Sequence, residues 1–184
     1  MALRYAILIS LHEEAATGYE ITKKFDQGMG FFWQASHQQI YLELKKMSDL
    51  GLVEFQHIEQ DSKPDKKLYQ ITSQGIQALK DWLIQPVKTQ TIKDSLLMKL
   101  YAGPLGSAQH LLDEVLRIKQ EHVELLETFH AIEQEWFQNI DQQPLPYQYI
   151  YYTLRNGIHY VQSWLAWSEE VIPFLEKQAG AATR

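Results

Sequence analysis

The chain has 184 residues, 45% of them hydrophobic and none of them cysteine, so it can bury a core but cannot use disulfides or thiolate metal ligands. No apolar run approaches the roughly 18 residues of a membrane helix and no signal-peptide pattern opens the chain, so we expect a cytoplasmic protein with no membrane contact. The net charge of −6 lies mostly in residues 89–184, which hold seven Lys and Arg against twelve Asp and Glu, whereas residues 1–88 hold ten against eleven.

The first predicted helix covers about residues 3–14, where apolar residues recur at helical spacing. The second begins at Thr17, because Thr17 and Glu20 have the spacing of a capping box, in which each side chain satisfies the other residue's backbone N–H. Glycines at residues 28 and 30 end this second helix.

A third helix is predicted from Ser36, which forms a second capping box with Gln39, to Gly51, which ends it. Its buried stripe consists of Ile40, Leu44 and Met47. A polar stripe lies about a quarter turn away and consists of His37, Gln38, Tyr41, Lys45 and Ser48. Gln pairs with adenine, Lys reaches guanine or phosphate, and hydroxyls hold phosphates, so this face suits a DNA groove. An ordinary solvated helix face has the same pattern.

Two strands follow, at residues 52–59 and 66–71, and the polar loop between them predicts a β-hairpin. Thr72 caps a fourth helix. Three lysines, Lys63, Lys66 and Lys67, lie at the hairpin tip and in its second strand. They would contact phosphates beside a helix in the groove, or they would serve only as charges that protect an edge strand from aggregation.

The order helix, helix, helix, hairpin, helix is that of a winged helix-turn-helix, whose second motif helix enters the major groove. Residues 1–84 resemble the PadR family of winged-helix regulators. The segments that carry this resemblance are ALRYAIL at 2–8, TGYEI at 17–21, SHQQIY at 36–41 followed by EL at 43–44, GLV at 51–53 and KPDKKLYQIT at 63–72. The tail resembles the helical C-terminal domain of the same family through LRNG at 154–157 and LAWSEE at 165–170. The chain departs from the common family pattern at Gln38-Gln39, where many members have Gly-Thr, and at Leu42, where many have Pro.

The resemblance implies a mainly α fold with a small β-hairpin. A winged helix-turn-helix domain at residues 1–86 would be followed by a long-helix C-terminal dimerisation domain at residues 87–184. It also implies a homodimeric repressor or activator that binds a palindromic operator in double-stranded DNA. We predict DNA contacts from Ser36, His37, Gln38, Gln39, Tyr41, Lys45, Lys63, Lys66 and Lys67. Ser36 and Gln39 have capping as an alternative role. The competing hypothesis is a helical protein-interaction module with a structural wing and no DNA role.

The second half predicts a helix at about 91–102, a long helix from Ser107 to about Phe137, and a last helix that ends near Glu176. Apolar residues in the two long helices alternate in steps of four and three, which is typical of helices that pack on a partner. From this pattern we predict a dimer interface from Leu125, Phe129, Ile132, Leu154, Ile158, Val161 and Leu165. The resemblance to the PadR family implies that Leu3 and Ile7 join it. An antiparallel hairpin within one chain would satisfy the same pattern.

Aromatic residues are dense in the last helix. Tyr151, Tyr160, Trp164 and Trp167 would line a pocket for a small aromatic ligand, or they would pack as core and interface. No nucleophile elbow or phosphate-binding glycine loop is present, so we expect no enzyme activity and no cofactor. Glu127 and His130 have the spacing of a di-iron ligand pair but lack the second copy that such sites need, so we expect no metal site.

Overall fold

A computed structural model describes residues 2–27, 35–58, 66–88 and 92–182 of the chain. The elements are α1 (Ala2–Glu13), β1 (Ala16–Thr17), α2 (Gly18–Gln27), α3 (His37–Asp49), β2 (Val53–Ile58), β3 (Lys66–Ile71), α4 (Ser73–Leu83), α5 (Ser95–Tyr101), α6 (Ala108–Trp136) and α7 (Leu145–Ala182). The predicted fold class, mainly helical with a small β-sheet, is confirmed. The chain divides into two compact units, Met1–Thr89 and Gln90–Arg184. The assignment of roles to domains at 1–86 and 87–184 stays a prediction.

The core of the first unit is formed mainly by apolar residues of its helices. The residues of this core with no more than 1% of their surface exposed are Ile7, Leu8, Ile21, Phe25, Ile40, Leu44 and Met47. The buried stripe of the third helix is therefore confirmed.

The sheet has three strands in the order β1-β3-β2, one more than the predicted hairpin. The extra strand, β1, has only two residues and pairs antiparallel with β3, with Thr17 opposite Leu68. Thr17 also forms the predicted capping box: its backbone N–H donates to Glu20 Oε2 at 2.7 Å, and its Oγ1 accepts from the N–H of Glu20 at 3.3 Å. The Thr17 backbone N–H, and the Thr17 hydroxyl that donates to the same carboxylate oxygen at 2.8 Å, hold the pKa of Glu20 below its usual value.

One threonine ties the end of α3 to the end of the hairpin. The hydroxyl of Thr72 donates to the carbonyl of Gly51 at 2.7 Å and accepts from the N–H of Gly75 at 3.0 Å, which confirms it as the cap of α4. Gly51 has a φ of 68°, in the left-handed region that favours glycine, and ends α3 as predicted. The angle between α3 and the hairpin is thereby fixed by backbone contacts.

The second unit is an antiparallel pair of long helices. The first turns of α6 pack against the end of α7 through Leu112 and Ile172, whereas the end of α6 packs against the beginning of α7 through Phe129 and Ile158. The predicted start of α6 at Ser107 is confirmed, since its side chain caps the helix. Within the described residues, no helix combines the length and apolar character of a membrane span.

Two helix bounds in this unit differ from the prediction. The α5 helix begins at Ser95, because the Asp94 side chain accepts from the N–H of Leu96 and caps it there. The α7 helix continues past the predicted end near Glu176 to Ala182, with Pro173 inside it. The last turns are rich in alanine, the best helix former, and the helix continues through Gly180.

Candidate nucleic-acid interface

The first turn of α3 is held by the predicted capping box. Ser36 Oγ accepts from the N–H of Gln39 at 3.3 Å, and Gln39 Oε1 accepts from the N–H of Ser36 at 2.9 Å. The side chains of Ser36 and Gln39 therefore both take part in the helix cap. Capping is the alternative role that the sequence predicts for these two candidate DNA contacts. In this role they fix the start of α3; a DNA contact from either residue stays a prediction.

The predicted polar stripe of α3 faces outward. His37, Gln38, Tyr41 and Lys45 are all exposed, while Ile40 and Leu44 beside them are fully buried. An adjacent residue absent from the predicted contacts, Leu42, is also exposed. The helix thus brings hydrogen-bonding groups and a positive charge onto one surface, which suits the edges of base pairs.

The ring of Tyr41 lies against the start of α2. A Cβ built on Gly18 would lie 2.5 Å from Tyr41 Cε1, so the ring occupies the space that a side chain at Gly18 would need. Tyr69 of β3 lies close by, and its pKa is raised by its own burial and, to a smaller extent, by the neighbouring Tyr41 phenol. The close approach to Gly18 positions the Tyr41 ring, although 49% of the residue is exposed.

An ion pair fixes α3 against α1. Arg4 Nε donates to Glu43 Oε1 at 3.0 Å, and the side chain of Glu43 is only 16% exposed. Partial burial strengthens such a pair over the exposed kind. Its effect is to hold the rotation of α3 about its axis, since the outward residues lie on the opposite side of the same helix.

The wing, which we define as β2, β3 and the segment that joins them, is basic on its second strand. Lys66 and Lys67 are both exposed, and the Lys67 Nζ lies 4.1 Å from the centroid of the Phe55 ring on β2. A cation over an exposed aromatic face gains only about 0.5–1 kcal/mol, so this contact orders Lys67 without neutralising it. The third predicted lysine, Lys63, lies outside the described residues.

Two family models match the chain in tandem: the transcriptional regulator PadR-like family at residues 7–81 and the virulence activator alpha C-term family at residues 92–176. A probable transcriptional regulator of Mycobacterium tuberculosis is 32% identical over 97% of this chain and all of its own length. The chain belongs to the PadR-like family of transcriptional regulators.

Two solved structures match over nearly their whole length. Bacillus subtilis PadR, solved in complex with operator DNA, is 30% identical, with 95% of this chain and 99% of that chain covered and a TM-score of 0.80. The virulence activator AphA of Vibrio cholerae is 33% identical, with 95% and 98% covered and a TM-score of 0.80. Membership of the PadR-like family makes this protein a DNA-binding regulator.

The residues predicted for a dimer interface divide into two groups. Five are buried within the cores of the chain's own units and have almost no surface left for a partner: Ile7, Phe129, Leu154, Ile158 and Val161. Four are only partly buried: Leu3, Leu125, Ile132 and Leu165. The stepwise apolar pattern of α6 and α7 is thus satisfied largely by the intrachain hairpin, which was the alternative interpretation.

The four residues predicted for a ligand pocket are not brought together. The ring centroids of Trp164 and Trp167 lie 5.5 Å apart, and both rings pack on the apolar cluster around Leu112 and Ile172. The His122 ring stacks on Trp164 with 4.2 Å between the ring centroids. Tyr151 packs on the other cluster, near Phe137, while Tyr160 is 68% exposed. A small aromatic ligand stays a prediction, which the fluorescence of the Trp pair during titration with an aromatic acid would test.

The contact between Gly18 and Tyr41 gives a testable expectation. Gly18→Ala should displace the Tyr41 ring. The affinity for a DNA duplex that the wild-type protein selects from a random pool should then fall about tenfold, or ~1.4 kcal/mol. Fluorescence anisotropy with a labelled duplex measures the loss. If Gly18 acts through Tyr41, the double variant with Tyr41→Ala binds no more weakly than Tyr41→Ala alone. Two losses that simply add would contradict this coupling.

Proposed function

We propose that this protein is a transcriptional repressor that binds a palindromic operator as a homodimer, with α3 in the major groove and the wing beside it. The observation that carries the proposal is the division of α3 into a fully buried face, formed by Ile40, Leu44 and Met47, and an exposed face with Gln38 and Lys45. A helix with this division can enter a groove about 12 Å wide while it stays anchored in its own core.

The wing supports the same proposal. Lys66 and Lys67 are exposed on β3, which pairs with β1 on one side and with β2 on the other. Lysines on such a strand contact the phosphates that flank the groove, and they supply affinity that does not depend on sequence. The overall negative charge does not oppose this role, because the excess of acidic residues lies in the second half of the chain.

A palindromic operator needs a symmetric partner, and α7 has a face for one. Counted at about 100° per residue, the helix positions of Tyr149, Tyr152, Tyr160 and Phe174 lie on one side, opposite the side that packs on α6. Each of these four is more than half exposed, at 71%, 66%, 68% and 55%. We call them the aromatic stripe; it spans about 38 Å along the helix.

The size of the aromatic stripe fits a second copy of the chain. At about 200 Å² per aromatic side chain, its exposed parts come to roughly 500 Å², against ~800 Å² per partner in a stable interface. Identical stripes on two copies are complementary under a two-fold axis, which also relates the two half-sites of a palindrome. The proposed dimer face is therefore centred on the aromatic stripe.

The dimer is tested by charging the stripe. Tyr152→Glu with Tyr160→Glu should weaken association at least 100-fold, because two buried carboxylates per subunit would lie against an apolar surface. Light scattering across a concentration series measures the mass. Gln162→Glu is the control for added charge, since it puts one carboxylate per subunit on another exposed side of α7. A double variant that dimerises at the same protein concentration as the wild type would rule out this face.

Base contacts are tested on duplexes selected by the protein from a random pool. Gln38→Ala should lower the affinity for the selected duplex about 10- to 100-fold, as expected for a bidentate contact worth ~1–3 kcal/mol. Affinity for a scrambled duplex of the same length should change less than threefold. Equal losses on both duplexes would show that Gln38 contributes only non-specific binding. If no sequence is enriched in the pool, the protein-interaction hypothesis is favoured instead.

A further inference from the structure

Leu42 occupies an unusual place on α3. It lies two residues from both Ile40 and Leu44, which are fully buried, so at about 100° per residue it points away from the core. Accordingly, 52% of this leucine is exposed. A single exposed leucine is ordinary on most protein surfaces. Here, however, it lies beside Gln38 on the outward side of the helix that we place in the DNA groove.

The neighbours of Leu42 on that face are polar. Gln38 lies one turn earlier, and Lys45 and Lys46 lie one turn later, all of them exposed. The side chains around Leu42 therefore suit the hydrogen-bonding edges of base pairs, whereas Leu42 has no hydrogen-bonding group. The corresponding apolar feature in the major groove is the 5-methyl group of thymine, which cytosine and the purines lack.

We infer that Leu42 is a specificity-determining residue that packs against the 5-methyl group of one thymine in each operator half-site. This inference rests on the proposed function, because it requires α3 to lie in the major groove. Removing a methyl contact of this kind costs about fourfold in affinity, as expected for one buried CH₂-sized group. In a symmetric site the cost applies twice and reaches about fifteenfold.

The experiment replaces thymine by deoxyuridine, which keeps the base pairing and removes only the methyl group. Each thymine of a duplex selected by the full-length wild-type protein is replaced in turn, in both half-sites. We expect one position at which wild-type affinity falls about fifteenfold. Leu42→Ala should bind the thymine and uracil duplexes equally well at that position, because the partner of the methyl group is gone.

Leu50→Ala is the matched control, because Leu50 is 51% exposed at the end of the same helix but points to a different side. It should preserve the wild-type preference for thymine over uracil. A wild-type protein that tolerates uracil at every position, or a Leu42→Ala variant that keeps the preference, would overturn the inference while leaving the proposed function intact. Failure of the wild-type protein to enrich any duplex would overturn the proposed function, and this inference with it.

Discussion

Replacing Lys66 and Lys67 together by alanine should lower the affinity for operator DNA about 100-fold near 0.1 M salt and flatten its dependence on salt. Both lysines are exposed on β3, so a dimer loses four positive charges. Each phosphate contact contributes about 0.9 to the slope of log affinity against log salt, so the slope should fall by up to ~3.6. Binding titrations at several salt concentrations give both quantities.

The control removes the same charge elsewhere. Lys80→Ala with Lys177→Ala takes one exposed lysine from each unit, outside the wing and α3, and should change the slope by less than one. Adding Lys63→Ala to the wing variant should lower the slope further if the third predicted lysine also reaches phosphate. An unchanged slope in the variant that lacks Lys66 and Lys67 would mean that the wing makes no backbone contact.

The sequence predicts the elements of the DNA-binding unit well where local chemistry decides the outcome. The capping residues Ser36 and Thr72, the helix stop at Gly51 and the buried stripe of α3 all depend on neighbours within a few positions. The strand β1 could not be predicted, because it is two residues long and exists only through its pairing with β3. Its pairing residue Thr17 carries a second signal, the capping box, which indicates only a helix.

The interface residues show a limit of periodicity. A heptad-like pattern says that a helix packs on a partner, but it does not say whether the partner belongs to the same chain. In α6 and α7 the pattern is satisfied by the other helix of the hairpin, so Ile158 and Val161 are buried inside the chain. The exposed face of α7 is visible in the sequence only as extra aromatics, such as Tyr152 and Tyr160, outside the apolar pattern.

Gly75→Ala should destabilise the first unit by about 3 kcal/mol, although alanine is the better helix former by about 1 kcal/mol. A Cβ at Gly75 in α4 would lie 2.1 Å from the carbonyl oxygen of Leu52 and 2.8 Å from Ile71 Cγ1. The oxygen cannot move away cheaply, because it accepts the N–H of Thr72 at 3.1 Å. Chemical denaturation followed by circular dichroism measures the free energy of unfolding.

Gly180→Ala is the matched control for the sign of this effect. It makes the same substitution inside α7, where a Cβ would meet no atom within 4 Å, so it should leave stability unchanged or raise it by up to ~1 kcal/mol. If Gly75→Ala lowers the free energy of unfolding and Gly180→Ala raises it, the loss at Gly75 comes from the close approach of α4 to Leu52 and not from helix propensity. A Gly75→Ala variant as stable as the wild type would mean that the junction of α3, the wing and α4 is adjustable. The wing would then not be held at a fixed angle to α3, and the argument that both contact one DNA site together would lose its geometric basis.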